Sequence, residues 1–98
     1  MTLRIAWAAP ARAQLADLYA YIAQSNERAA DRQLGIILDA TENLSGFPEI
    51  GRLGRRRGTR ELVVPGTPYI VAYRIHLATI EILAVIHGAR RWPSRFDL

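Results

Sequence analysis

The chain has 98 residues, of which half are hydrophobic and 22% are charged, so it can form one small domain with its own core and is not intrinsically disordered. It lacks cysteine, which excludes disulfides and thiolate chemistry, and it has no apolar run near the roughly 20 residues that a membrane span requires. All thirteen basic residues are arginines, and the formal net charge of +4 favours an acidic or phosphate-bearing partner.

We expect a cytoplasmic protein that does not contact a membrane. Residues 1–11 contain Arg4 but no long apolar stretch, so the pattern of a signal peptide is missing. Two histidines without cysteine do not form a cluster of metal ligands, and we expect neither a metal nor another cofactor. The whole chain, residues 1–98, is predicted to be a single domain.

The first half of the chain predicts one strand and two helices. Three large apolar residues, Leu3, Ile5 and Trp7, alternate with Arg4 and Ala6, which indicates a short half-buried strand. Pro10 suits the first turn of a helix, and apolar residues at helical spacing extend this helix over residues 10–24. A second amphipathic helix follows a break at residues 25–26, either of which can cap it, and it ends before Gly46.

The second half predicts a loop and three strands. Residues 46–59 carry four glycines and four arginines without periodicity, which is typical of an exposed loop. Strand patterns return at residues 60–64, 69–75 and 79–86, and a Pro-Gly-Thr-Pro turn separates the first two.

The last two strands predict a hairpin whose register follows from its turn. If Leu77 and Ala78 form a two-residue turn, the paired residues are Arg74 with Glu81, Tyr73 with Ile82 and Val71 with Ala84. The face that the two helices would cover is then apolar: Tyr69, Val71, Tyr73, Ile75, Ile80, Ile82, Ala84 and Ile86. The opposite face mixes polar residues with Ile70, Ala72, Leu83 and Val85, and we expect a partner to cover part of it.

Taken in order, these elements and several motifs resemble the RelE/ParE toxin superfamily. The predicted order is β-α-α-β-β-β, an α+β fold in which a helical hairpin packs on an antiparallel sheet. The motifs that carry the resemblance are, in chain order, Ala13-x-x-x-Asp17-Leu18-x-x-x-Ile22, Pro48-x-x-Gly51-Arg52, Arg60-Glu61-Leu62, Tyr69-Ile70-Val71-Ala72-Tyr73-Arg74, and Ile82-Leu83-Ala84-Val85-Ile86-His87-Gly88-Ala89-Arg90 followed by Trp92.

The resemblance implies the toxin of a bacterial type II toxin–antitoxin system of the plasmid stabilisation type, neutralised by a cognate antitoxin. RelE-like members are ribosome-dependent ribonucleases that cut mRNA, whereas ParE-like members poison DNA gyrase and have no established hydrolytic site. We favour the ParE-like branch, a toxin that binds gyrase and is not an enzyme. The alternative is a metal-independent endoribonuclease that acts on mRNA at the ribosome, and a third hypothesis is an inactive relative that binds only its antitoxin or a regulatory DNA complex.

Three features argue against the ribonuclease branch. The third strand lacks the arginine that often precedes its Val/Tyr pair in ribonuclease members, and no tyrosine follows Tyr73 near the C-terminus. The predicted register also places His87 opposite Pro68, six residues or about 20 Å along the strand from Arg74. A histidine and an arginine at that distance do not serve one phosphate.

The residues that we predict to contact the target or the antitoxin are Arg52, Arg60, His87, Arg90 and Trp92. If the protein cuts RNA, the catalytic candidates are His87, Arg60 and Arg90, because cleavage through a 2′-hydroxyl needs a base, an acid and cations for the phosphorane. The structural alternative for His87 is a hydrogen bond that fixes the C-terminal turn, and for Trp92 it is packing on the domain.

Other charged residues have two interpretations as well. Arg74 and Glu81 are predicted to form a cross-strand ion pair, and Glu61 a local pair with the adjacent Arg60. The run of arginines at residues 55–57 could grip a phosphate or an acidic segment of the antitoxin, or it could be a solvated loop.

Overall fold

The structure, a computed structural model, describes residues 2–89, so the predicted contact residues Arg90 and Trp92 lie outside the described residues. Two helices and five strands follow each other along the chain: β1 (Arg4–Trp7), α1 (Ala9–Ala23), α2 (Glu27–Asn43), β2 (Arg52–Leu53), β3 (Arg60–Val63), β4 (Tyr69–His76) and β5 (Thr79–His87). The predicted α+β order is confirmed, and β2 is a short addition inside the segment predicted as a loop.

The helical hairpin begins and turns where its capping residues predict. Pro10 lies in the first turn of α1, where a missing N–H costs no helical hydrogen bond. Asn26 is the N-cap of α2, and its side chain accepts a hydrogen bond from the Ala29 backbone N–H at 3.0 Å. The two helices are joined across the hairpin by the Tyr19 hydroxyl, which donates to Asp31 Oδ1 at 2.6 Å.

The five strands form one sheet in the order β1-β5-β4-β3-β2. Neighbouring strands are antiparallel except for β1, which lies parallel to β5 at the other edge. The sheet is therefore mixed. β1 and β5 are separated in the chain by both helices and three strands. A connection of this length allows the two strands to lie side by side in the same direction.

The predicted register of the β4–β5 hairpin is correct near its turn and wrong beyond it. His76 pairs with Thr79, Arg74 with Glu81, and Tyr73 with Ile82 as predicted. A β-bulge then shifts the register between Ala72 and Tyr73, so that Val71 pairs with Val85 and not with Ala84.

Because side chains alternate between faces, the bulge moves the end of β5 to the opposite sides of the sheet. Val85 joins Val71, Tyr73 and Ile82 in the core beneath the helices, while Ala84 and Ile86 move to the other face. For the same reason His87 pairs with Tyr69 and does not lie opposite Pro68. The bulge therefore places four residues of β5 on the face opposite to the predicted one: Ala84, Val85, Ile86 and His87.

The face away from the helices is also less open than predicted. Its aliphatic residues are Ile70, Ala72, Ala84 and Ile86, and each is 8% exposed or less. By register, the ion pairs Arg74–Glu81 and Arg52–Glu61 lie on this same face. The core beneath the helices includes Leu18 from α1, Ile37 from α2 and Tyr73 from β4.

Candidate macromolecule-binding site

The segment between α2 and β3 is anchored to the core by the Tyr73 hydroxyl. Tyr73 is fully buried in the middle of β4, and its oxygen accepts a hydrogen bond from the Gly51 backbone N–H at 2.9 Å. The same hydroxyl donates to the Pro48 carbonyl at 2.7 Å. Burial raises the pKa of Tyr73, so the phenol keeps the proton that the bond to Pro48 requires. The loop that bears four of the thirteen arginines therefore starts from a fixed position.

A buried carboxylate organises the next part of the loop. The Glu61 side chain is 3% exposed, and one of its oxygens accepts from Nε and Nη2 of Arg52 at 3.2 and 3.0 Å. The other oxygen accepts from the backbone N–H of Arg55 at 2.8 Å and from its Nε at 3.1 Å. Burial alone raises the pKa of Glu61, but these hydrogen bonds from Arg55 and Arg52 outweigh it and lower the pKa.

The local ion pair predicted between Glu61 and Arg60 is wrong. Adjacent residues of a strand point to opposite faces, and Glu61 turns to Arg52 across the β2–β3 ladder. Arg60 instead donates from Nη1 to the Gly51 carbonyl at 2.8 Å and to the Glu49 carbonyl at 3.2 Å. Its Nη2 lies 3.9 Å from Glu49 Oε2. Arg60 thus fixes the start of the loop from the face on which Tyr73 lies.

A pocket of about 450 Å³ opens beside Arg60 at this end of the sheet. Its lining combines charged residues with two aliphatic ones and includes Glu49, Leu53, Arg56, Arg57, Arg60 and Ile75. Leu53 is 79% exposed and Ile75 is 38% exposed, so the lining presents aliphatic surface to solvent. We call this site the arginine pocket.

His87 lies at the opposite end of the strands and is held by local contacts. Its Nδ1 accepts a hydrogen bond from the Ala89 backbone N–H at 3.1 Å, and its ring stands edge-on to Tyr69 with a centroid distance of 5.6 Å. This is the geometry of a histidine that fixes a turn after a strand.

The structure brings Arg52 and Arg60 to one end of the sheet and leaves His87 at the other. Arg60 pairs with Tyr73 and His87 with Tyr69, so the two residues are separated by four positions, or about 13 Å, along β4. Arg74 is five positions, or about 17 Å, from His87 by the same count. Arg74 forms the ion pair predicted with Glu81, at 2.9 Å.

Sequence reasoning missed the roles of Glu61 and Tyr73 in this site. The alternation of β3 could have excluded Arg60 as the partner of Glu61, but the true partners depend on the path of a non-periodic loop. Tyr73 was predicted on the apolar face that the helices cover, and nothing in the pattern indicates that the loop folds back to meet its hydroxyl.

Within residues 2–89 no group of three or more histidine, aspartate or glutamate side chains could hold a metal ion. Neither of the two described helices is long and apolar enough to cross a membrane. What the described surface offers is a set of arginines in fixed positions next to exposed aliphatic side chains.

Comparison with known proteins identifies the family. Residues 5–92 match the family model described as the ParE toxin of the type II toxin–antitoxin system, parDE. A curated protein of Sinorhizobium fredii (strain NBRC 101917 / NGR234), named "Putative toxin Y4kP", is 41% identical over 91 residues, which cover 93% of this chain and 94% of that protein.

A solved structure has the same fold. It is a chain from the chromosomal ParDE TA system from P. aeruginosa, and it superposes with a TM-score of 0.78 at 21% identity, covering 88% of this chain and 96% of the other. At that identity the likeness speaks for the fold alone, while the family model and the toxin relative cover nearly the whole sequence. The chain therefore belongs to the ParE toxin family of type II toxin–antitoxin systems.

Proposed function

We propose that this ParE-family toxin acts in the cytoplasm by binding DNA gyrase, in a plasmid stabilisation type of system in which a cognate antitoxin neutralises it. Membership in a toxin–antitoxin family implies the antitoxin. The choice of a binding mechanism over hydrolysis is supported by one observation: the catalytic candidate His87 lies about 13 Å along the sheet from Arg60.

Hydrolysis of RNA needs an acid and a base next to the cations that stabilise the phosphorane. Among the described residues, the carboxylate that lies closest to the loop arginines is Glu61, and it is occupied by Arg52 and Arg55. His87 is occupied by the Ala89 N–H and by Tyr69. These groups are placed to stabilise the fold, which favours a toxin that grips a macromolecule.

The proposed contacts with gyrase are Arg52, Arg60 and His87, with Arg90 and Trp92 from the C-terminal residues. Arg52 has a side chain that is 55% exposed although it pairs with Glu61, so its guanidinium can meet a partner without leaving its place. Arg60 stands at the arginine pocket, and its side chain is 26% exposed.

The test is a supercoiling assay with purified gyrase and the full-length toxin. We expect the toxin to inhibit supercoiling, an equimolar amount of antitoxin to restore it, and Arg52→Ala to weaken the inhibition. In parallel, induced cells should show DNA damage while their messages stay intact, and His87→Ala should leave the messages unchanged. Cleaved messages that appear with the wild type and vanish with His87→Ala would instead establish the ribonuclease, and a folded toxin without any growth arrest would establish an inactive relative.

A further inference from the structure

The arginine pocket has the chemistry of a receptor for an amphipathic chain. Its lining includes Leu53 and Ile75, two aliphatic residues that remain 79% and 38% exposed. The lining also includes arginines, of which Arg60 is the cross-strand partner of Leu53, and Glu49 is the one acidic residue in its described lining. A ligand that fits both parts carries an aliphatic side chain and a carboxylate close together.

Arg57 is a residue of the pocket that is available to form an ion pair with an acidic ligand. It is exposed, it lines the pocket, and within residues 2–89 it takes part in none of the four ion pairs. Arg60 is held by backbone carbonyls, and its guanidinium keeps only a distant contact of 3.9 Å with Glu49. A carboxylate entering the pocket would therefore meet guanidinium groups without having to displace a tight ion pair of Arg57 or Arg60.

The lining also distinguishes between two classes of macromolecule. Proteins that bind single-stranded nucleic acids combine basic grooves with aromatic rings on which bases stack. The described lining of the arginine pocket contains no aromatic residue, and its exposed apolar surface is aliphatic. This favours an acidic peptide over a nucleic acid.

We propose that the arginine pocket binds an acidic, amphipathic segment of the cognate antitoxin, with an aliphatic side chain against Leu53 and Ile75 and a carboxylate on Arg57. This rests on the toxin–antitoxin part of the proposed function and not on the identity of the target. It also provides a route to neutralisation, because a segment in the pocket covers the exposed part of Arg60.

The experiment is a calorimetric titration of full-length toxin with the antitoxin encoded beside it, for the wild type and for Leu53→Glu and Arg57→Glu. Both side chains are exposed, so we expect both variants to fold, as circular dichroism and a thermal melt would verify. Each variant should bind the antitoxin at least about tenfold more weakly, and Arg57→Lys should recover most of the affinity. Arg28→Glu, on the exposed surface of α2, is the charge-matched control and should bind like the wild type.

Growth arrest in cells that lack the antitoxin separates this proposal from the choice of target. Arg57→Glu and Leu53→Glu should still arrest growth. Unchanged antitoxin affinity in both variants would overturn the proposal. If these variants also lost growth arrest, the pocket would be assigned to the target. Tight binding of a 20-nucleotide single strand that Arg57→Glu abolishes, with the antitoxin unaffected, would assign it to nucleic acid. A wild type that fails to inhibit gyrase would contradict the proposed target and leave the titration interpretable.

Discussion

The hydroxyl of Tyr73 and the backbone N–H of Gly51 meet at 2.9 Å, which joins the centre of the sheet to the loop that bears the arginines. The same hydroxyl donates to Pro48 at 2.7 Å, so one buried oxygen holds two points of the chain before β2. Arg60 supports the same turn from outside through the Gly51 carbonyl. The position of the candidate site relative to the core depends on these contacts.

Removal of the Tyr73 hydroxyl should therefore destabilise the protein. In Tyr73→Phe the Gly51 N–H and the Pro48 carbonyl lose their shared partner, and we expect the free energy of unfolding to fall by about 1–3 kcal/mol. Urea unfolding followed by circular dichroism measures this. Tyr21→Phe is the matched control, because Tyr21 is 69% exposed, and its effect should stay within about 0.5 kcal/mol. Equal effects of the two substitutions would refute the anchoring role of Tyr73.

Gly51 should tolerate no side chain, although its backbone conformation is ordinary. A Cβ at this position would lie 2.6 Å from the Tyr73 hydroxyl and 3.0 Å from the Glu61 carbonyl, the second of which is backbone and cannot rotate away. We expect Gly51→Ala to cost about 1–3 kcal/mol of unfolding free energy through overpacking.

Gly46→Ala serves as the control in the same urea series, because no heavy atom lies within 4 Å of a Cβ there. It should be neutral or slightly stabilising, since alanine reduces the conformational freedom of the unfolded chain. If Gly51→Ala unfolds at the same urea concentration as Gly46→Ala, the close packing of Gly51 on Tyr73 is wrong.

The Glu61 carboxylate should make stability depend on pH in the acidic range. The folded protein lowers the pKa of Glu61 below that of the unfolded chain, so the unfolded state takes up its proton first as the pH falls. The stabilisation is fully present above the unfolded pKa, and it is lost as the pH falls through the folded pKa. We expect the unfolding free energy of the wild type to decline over this range.

Glu61→Gln should flatten that decline and lower the unfolding free energy at neutral pH by about 1–3 kcal/mol. The expected loss is modest because the side chains of Arg52 and Arg55 are about half exposed, so solvent screens their charges. The measurement is a set of urea curves from neutral to acidic pH. Glu42→Gln, at an exposed position near the end of α2, should leave the pH dependence of the wild type in place. Parallel pH profiles for the wild type and Glu61→Gln would exclude the proposed role.

Local patterns were enough to predict the helices and the hairpin turn. Pro10 and Asn26 act within one turn of the residues that they cap, and the pairing of His76 with Thr79 follows from a two-residue loop. The parallel pairing of β1 with β5 joins Arg4 to Thr79, and no local signal in either strand specifies such a partner.

The bulge in β5 was not predictable from alternation, for a physical reason. Residues 82–86 are all apolar, so a shift of one position exchanges aliphatic residues between two buried faces at little cost in burial. Leu83, the extra residue, is 2% exposed, and the sequence contains no glycine there to mark a bulge. The prediction of the candidate site was less affected by the bulge, because Arg52 and Arg60 lie outside the shifted part of the sheet.

The bulge leaves a backbone group of Val85 to be satisfied by a side chain, and Gln14 of α1 provides it. The Val85 N–H donates to Gln14 Oε1 at 2.8 Å, at a level of β5 that lies beyond the last paired residue of β1. In Gln14→Leu this N–H loses its acceptor in a partly buried place, and we expect the unfolding free energy to fall by about 1–2 kcal/mol. Gln14→Glu keeps an acceptor at the same reach and should recover most of the loss at neutral pH. Hydrogen exchange of the Val85 amide is the direct readout: it should be slow in the wild type and in Gln14→Glu and faster in Gln14→Leu, whereas equal protection in all three would mean that another group satisfies the bulge.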